Sequence, residues 1–316
     1  MKICFIGGCG HAGEAYRRWV GKPQAEICGY APWSVHERGI GIAAQVPQFP
    51  NAEEMLDTVR PDIAVVAPVF GFAAKAVLAC AARGIDVLCE KPVATTLQEL
   101  EMVKRAVRES GIRFCAMHEM RFFPTFFEGA RIVRAGAVGE VKLICAQKSY
   151  KFGSHRPDWY QDRALYGGTI PWVGIHAMDW IYHFTGKRFL SVRAQSDGAC
   201  PERAALCQFT LEENIPVSLS LDYYRPRVAD GHGDDRIRVV GTEGILEICQ
   251  GEILLLDGAG ERAITPPPTR SLWERFIAGE EPIPAEEILY LTRVALLARE
   301  AADTGKEIQI EGGITV

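Results

Sequence analysis

Gly8-Cys9-Gly10-His11-Ala12-Gly13 fits GxGxxG directly after a short apolar run, Lys2 to Ile6, and at the start of a helix-compatible segment, Ala12 to Val20. In a strand, turn and helix unit that spacing suits a dinucleotide. The first glycine turns the chain, the second admits pyrophosphate close to the backbone, and the third lets helix pack on strand. The phosphate then lies on N–H groups at the helix start, which have no intrahelical acceptor. The adenosine end of such a site usually carries Asp or Glu about 20 residues beyond the glycines. Positions Cys28 to Val35 hold no acid. A strand from Glu26 to Tyr30 runs instead into Ala31-Pro32-Trp33-Ser34, with His36 and Arg38 nearby, so a 2′-phosphate is tolerated and the cofactor is NAD or NADP. The plainer alternative for Arg38 is a solvated surface arginine.

Cys89-Glu90-Lys91-Pro92 puts a lysine at the carboxyl end of a strand, Asp86 to Glu90, where open α/β sheets hold ligands. There an ammonium hydrogen-bonds a reacting oxygen and stabilises alkoxide charge, and Pro92 fixes the turn that aims it. A special turn at this point predicts a cis Lys91-Pro92 peptide, since X-Pro lowers the cost of cis to about 0.5 to 1 kcal/mol.

Positioning these groups requires a frame, and the pattern supplies one. Asn51 to Val59 reads as helix, Asp62 to Ala67 as buried strand, Ala73 to Arg83 as a helix ending at Gly84, Thr96 to Ser110 as a helix capped by Gly111, and Arg113 to Ala116 as strand. Apolar strands alternating with helices imply a parallel sheet covered on both faces. Near residue 118 strands take over: Val141 to Tyr150, Leu190 to Gln195, Leu206 to Leu211, Val217 to Leu221, Ile237 to Val240 and Leu246 to Leu256. They are expected to be antiparallel, with helices at Thr125 to Ala135, His176 to Thr185 and Glu286 to Thr304. The expected class is α/β. A dinucleotide-binding domain with a parallel sheet over 1–118 precedes an α+β domain over 119–316 for substrate binding and oligomerisation, and Thr265 to Thr269, with its three prolines, leads the chain back from the second sheet.

GxGxxG, then Glu90-Lys91-Pro92, then Gly167-Gly168-Thr169-Ile170-Pro171-Trp172-Val173-Gly174-Ile175-His176-Ala177-Met178-Asp179 resembles the glucose-fructose oxidoreductase/inositol dehydrogenase (Gfo/Idh/MocA) family. Arg121-Phe122-Phe123-Pro124, Gly139-Glu140-Val141 and Gly241-Thr242-Glu243-Gly244 extend the likeness over essentially the whole chain. The resemblance implies a Rossmann domain, then a domain with a large, open, mostly antiparallel sheet that mediates homodimers or homotetramers. It also implies hydride transfer between NAD(P) and a sugar, polyol or related small molecule. Lys91 matches the lysine that orients the substrate hydroxyl, and His176 the histidine acting as general acid/base. An imidazole titrating near neutrality suits that task. The expected cofactor set is Gly8, Gly10, His11, Ala12, Gly13, Ala31, Ser34, Arg38, Pro68, Phe72, Glu90 and Lys91. The expected substrate set is Lys91, Tyr160, Arg163, Trp172, His176 and Asp179, and Glu119, Arg121, His155, Arg156 and Trp159 lie in segments that the family fold brings to the cleft.

Two positions depart from the family pattern. Trp172 stands where many members carry an aspartate four residues before the histidine, and Phe72 where members often carry histidine. Trp172 stacks on a sugar or planar substrate, or it fills a site that no longer does chemistry. Asp179, three residues beyond His176 on the same helical face, orients that ring or a cofactor group, or makes a buried structural hydrogen bond. Alternatives to a dehydrogenase are therefore a non-catalytic NAD(P)-binding regulatory relative and an NAD-dependent lyase or hydrolase of glycosidic bonds.

Composition narrows the partners. With 35 basic and 40 acidic residues the net charge is −5, and 48% hydrophobic with 24% charged residues is a globular balance. A mildly acidic surface suits neither nucleic acid nor a membrane surface, so the partner is a small molecule. Ten scattered cysteines without a CxxC pair behave as core hydrophobes in a reducing cytoplasm. No metal is assigned, because the Gly/Asp loop around His232 lacks a matching ligand set. Met1 to Ile6 is too short for a signal segment, and the longest apolar run, Ile63 to Ala74, is too short to span a membrane.

Overall fold

The apolar runs near the amino terminus close into one five-stranded sheet, in the order β2-β1-β3-β4-β5 with every neighbouring pair parallel. The computed structural model describes residues 1–37, 46–153 and 156–310. The chain runs β1 (Lys2–Ile6), α1 (Ala12–Trp19), β2 (Glu26–Ala31), α2 (Ala52–Val59), β3 (Ile63–Val66), α3 (Ala73–Ala81), β4 (Asp86–Cys89), α4 (Leu97–Ser110) and β5 (Phe114–Ala116). All of β3 is buried, as a strand with helices on both faces must be. Side-chain caps set the helix starts: Asn51 accepts from the Glu54 N–H and Thr96 from the Glu99 N–H. Lys91-Pro92 is cis, as the turn predicted.

The later elements are α5 (Pro124–Arg134), β6 (Val141–Tyr150), α6 (Arg163–Tyr166), α7 (Ile175–Thr185), β7 (Phe189–Ser196), β8 (Ala204–Leu211), β9 (Ile215–Asp222) and β10 (Gly233–Gly241). Then come β11 (Ile245–Cys249), β12 (Glu252–Asp257), β13 (Gly260–Ile264), α8 (Leu272–Ile277), α9 (Ala285–Thr304) and β14 (Ile308–Gln309). Packing divides the chain into two units that are not contiguous in sequence. Met1–Met117, Trp159–Gly167 and Leu272–Arg293 form one, and His118–Asp158, Gly168–Ser271 and Val294–Val316 the other. After β13 the proline run leads the chain back to the first unit, where Trp19 meets Trp273 edge to face at 6.3 Å and donates its indole N–H to the Trp273 carbonyl. Arg113 pairs with Asp86 at 2.7 Å, lies over the Phe276 ring at 4.8 Å and donates to the Phe276 carbonyl, so one guanidinium fastens α8 beside β4 and β5.

The second unit is built on a nine-stranded sheet in the order β13-β12-β11-β10-β6-β9-β8-β7-β14. It is antiparallel except for one pair, β6 with β9, which the strand pattern alone did not separate from the rest. Every second residue of β9 is buried and those between are half-exposed or exposed, so one face carries the core, with Phe126 of α5 stacked on Trp180 of α7 at 4.1 Å. The single strand expected over Leu246 to Leu256 is a hairpin. Gln250 and Gly251 both take positive φ, which suits the tight turn joining β11 to β12, while the apolar residues of the two strands merge into one run in sequence. β10 starts at Gly233, ahead of the Ile237 expected, because its first residues are polar and pair with the end of β6. Neither β13 nor the short α6 and α8 carried enough periodicity to be anticipated. Among the described residues no helix is long and apolar enough to cross a membrane.

Trp273→Ala should cost about 3–5 kcal/mol, the usual range for emptying a buried indole site, because Trp273 is only 2% exposed. Urea unfolding monitored by circular dichroism measures it, and a loss below about 1 kcal/mol would show that α8 is not part of the cooperative unit.

Candidate functional site

In the first unit the loops after β1 and β4 converge on one buried carboxylate. Glu90, 1% exposed, accepts the His11 N–H at 2.5 Å, meets the His11 ring nitrogen Nδ1 at 3.0 Å and accepts the Lys91 N–H at 3.1 Å. The Lys91 ammonium lies 4.0 Å from it and is itself buried, at the carboxyl end of β4 where the sequence placed it. Burial pushes the Glu90 carboxyl pKa up, but the neighbouring His11 and Lys91 charges and the His11 hydrogen bonds outweigh it, and the net shift is downward.

Glycine spacing serves this carboxylate as much as any ligand. A Cβ at Gly10, whose φ is +55°, would stand 2.3 Å from Glu90 Oε2, so the second glycine admits a protein side chain. The turn itself belongs to Gly7 rather than Gly8: Gly7 has φ +71°, and a Cβ there would meet Pro68 Cα at 2.5 Å. At Gly13 a Cβ would meet only the Arg17 guanidinium at 3.5 Å, so the close packing expected of the third glycine is not what holds α1. Gly7 donates to the Ala31 carbonyl and Cys9 to the Ala67 carbonyl, and the Gly8 N–H turns to the Cys9 thiol, whereas the N–H of Gly10 has no acceptor among the described residues. A loop this close to its neighbours, with the Gly10 donor left just before α1 and the buried Ala12, fits a pyrophosphate.

Glu37 is an acid that lies two residues beyond the acid-free stretch from Cys28 to Val35. Its carboxylate folds back to accept the Trp33 N–H at 2.7 Å and the Val69 N–H at 3.1 Å, with Ser34 Oγ at 3.5 Å. It thus ties the end of β2 to the loop after β3, and burial pushes its pKa up against those donors. Ala31 ends β2, and Ser34 and Pro68 lie in the loops after β2 and β3; Arg38 is outside the described residues.

Phe70 follows Pro68 and packs against Trp159 at 5.0 Å and Tyr160 at 6.1 Å, and Tyr160 in turn lies 4.5 Å from Tyr166. Tyr160 is therefore part of a buried aromatic cluster, while Arg163 opens α6 and stays half-exposed. Phe72 caps α3 with the Lys75 ammonium 5.9 Å from its ring.

In the second unit Thr169 anchors the Gly-Gly-Thr turn. Its N–H reaches Glu202 Oε2 at 2.9 Å and its hydroxyl donates to the Glu202 carbonyl at 2.7 Å. Ile170–Gly174, carrying the buried Trp172, then forms a π-helical turn that runs into α7, whose second residue is His176, 3% exposed. Glu202 stands 33 residues from Thr169, and nothing local in sequence announces the partnership. Asp179 does not orient His176: its carboxylate is held by Arg121 at 2.6 Å, with His118 Nδ1 at 3.7 Å, among the described residues. The His118 ring meets that of His176 edge to face at 6.0 Å. His118 fell at the expected domain boundary and was not singled out. Glu119 and Arg121 share its turn, Arg156 lies near the end of β6, and His155 is outside the described residues.

Residues 1–118 match the family model described as "Oxidoreductase family, NAD-binding Rossmann fold", and residues 128–247 match the "GFO/IDH/MocA C-terminal domain". A Thermotoga maritima chain described only as an oxidoreductase is 38% identical, with a TM-score of 0.92 over 98% of this chain and 100% of that one. Trans-1,2-dihydrobenzene-1,2-diol dehydrogenase of Danio rerio is 25% identical over 78% of this chain and 73% of its own length. The fold is shared with the aldose-aldose oxidoreductase of Caulobacter crescentus, at 20% identity and a TM-score of 0.80 over 98% and 99% of the two chains.

His183, near the end of α7, yields a pH dependence. Burial pushes its pKa down to about 4, Arg121 and Arg134 add to that shift, and Asp179 opposes it. Unfolded, the group titrates near 6.5. Protons therefore favour the unfolded chain between the two values: stability from this source is complete above about pH 6.5 and falls by about 3 kcal/mol as pH drops to about 4. The difference between wild type and His183→Gln in urea midpoints across that range should show the loss, and parallel pH profiles for the two would refute it.

Proposed function

The chain belongs to the Gfo/Idh/MocA oxidoreductase family, and on that premise we propose that it oxidises or reduces a carbinol carbon of a sugar, polyol or related small molecule. The observation that carries this reading is the buried Lys91 ammonium beside Glu90 at the carboxyl end of β4, where a parallel sheet presents its ligand groups. When bound, the nicotinamide supplies the hydride acceptor or donor. Gly8 and Gly10 would line the pyrophosphate site beside the start of α1, where the Gly10 N–H has no acceptor among the described residues. Lys91 donates to the substrate oxygen and stabilises its developing negative charge. His176 takes the hydroxyl proton in oxidation and returns it in reduction. Trp172 and the aromatic Phe72 suit the apolar faces of a sugar or planar ring.

Glu37 favours NAD over NADP in this reading. A carboxylate at the end of β2 accepts from ribose hydroxyls, and it repels a 2′-phosphate. The exposed Leu190 and Leu206, on strands β7 and β8 of the large sheet, favour a homo-oligomer that covers that surface.

Two measurements test the proposal. Fluorescence titration should show NADH binding at least about tenfold tighter than NADPH, with Glu37→Ser narrowing the gap; equal affinities in the wild type would remove Glu37 from the cofactor site. Against a panel of sugars and polyols, wild type should interconvert NAD and NADH, and Lys91→Met should lose about 10²–10³-fold in kcat while its NADH affinity stays within about threefold. Cofactor binding without turnover on any compound would point to the non-catalytic alternative, and full activity in Lys91→Met would sink the role given to that lysine.

A further inference from the structure

Because β6 and β9 run parallel, both deliver their following loops to the same edge of the second unit, and β8, antiparallel to β9, starts beside them. A cavity of about 630 Å³ opens at this edge, lined by Lys151, Arg203, Arg225 and Arg227 with Phe152 and Tyr223. Four cationic side chains and no carboxylate among the lining residues stand out in a chain whose net charge is −5.

Aromatic faces and carbonyl groups hold most of these cations in place. Phe152 meets Tyr223 edge to face at 5.2 Å, the Arg203 guanidinium lies 3.4 Å from the centre of the Phe152 ring, and that of Arg156 lies 5.1 Å from the centre of Tyr223. Stacking on an aromatic face orders a guanidinium while leaving its N–H edge for an oxygen acceptor. Tyr223, 3% exposed, donates its backbone N–H to the Arg203 carbonyl at 2.8 Å, which joins the backbone of the aromatic floor to that of the arginine. Arg225 donates through Nη2 to the Asp230 carbonyl and lies 3.6 Å from Asp234, and its buried Nε–H has no acceptor among the described residues. Lys151, Arg203 and Arg227 have no carboxylate within 4.0 Å among those residues. His232 stacks on Tyr150 at 5.0 Å; burial pushes its pKa down, Arg156, Lys151 and Lys148 add to the shift, and Asp235 opposes it.

We propose that this cavity binds a phosphate group, either free or esterified to a small organic molecule, gripped by Arg203, Arg225 and Arg227 over the Phe152 and Tyr223 floor. Guanidinium groups match the geometry of phosphate oxygens through paired N–H donors, and several of them together favour a dianion over a singly charged carboxylate. The site stands on the second unit alone and does not depend on the redox reading.

Calorimetric titration of the full-length protein with inorganic phosphate should give saturable binding with Kd at or below about 1 mM. Arg203→Gln/Arg227→Gln should weaken it at least about tenfold, and Arg227→Glu at an exposed position should do the same without touching the aromatic floor. Arg193→Gln/Arg262→Gln removes equal charge from exposed arginines paired with Glu307 and Asp257, and should leave the affinity unchanged. Glucose 6-phosphate binding more tightly than phosphate assigns the site to an esterified phosphate, and equal or weaker binding assigns it to the free ion. Absence of saturable heat in the wild type overturns the proposal. So does phosphate binding that survives in both cavity variants, which would place the ion elsewhere, for example on the glycine loop.

Discussion

A carboxylate that is 1% exposed persists as an anion only where donors and positive charge replace the water it has lost. Glu90 meets that condition with the His11 N–H, the His11 ring, the Lys91 N–H and the Lys91 ammonium. Each of those partners belongs to a loop that a ligand would use, so solving one burial problem also fixes the glycine loop relative to the lysine. Gly10 is part of the same solution, since any Cβ there would collide with Glu90. The first unit is thus organised around an electrostatic constraint, with the parallel sheet supplying the strand ends that bring the partners together.

The second unit applies the same logic twice. Asp179, 1% exposed, is matched by the Arg121 guanidinium, and this pair joins the turn carrying His118 and Glu119 to α7, the helix that carries His176. Lys148, fully buried within β6, is matched by Asp235 at 2.7 Å and lies over the Trp180 ring at 4.3 Å. Burial drives the Lys148 pKa down, Asp235 draws it back, and the net shift is downward. Removing one partner of such a pair leaves an uncompensated buried charge, which is far costlier than losing a surface ion pair.

By contrast, the cations at the end of β6 and β9 are balanced by aromatic faces and carbonyl groups more than by carboxylates. That distinction separates charges that organise the fold from charges left to meet something else. It depends on the single parallel pair in an otherwise antiparallel sheet, because reversing β9 would send Tyr223, Arg225 and Arg227 to the far edge.

The alternating first half, with its five parallel strands, was legible in sequence because each strand is an apolar run set off by turn and cap residues that act locally. Lys91 at a strand end, the cis Lys91-Pro92 turn and the family membership were legible for the same reason: each rests on contiguous residues. Tertiary structure alone decided the rest. It turned the run from Leu246 to Leu256 into a hairpin, brought Glu37 back onto the loop after β3, assigned Asp179 to Arg121 and gave Thr169 its partner in Glu202. In the last three of these a buried polar group has found a donor or acceptor far away in sequence, or beyond the window where one was sought. Such pairings are enforced by desolvation once the chain is compact, and no local periodicity encodes them.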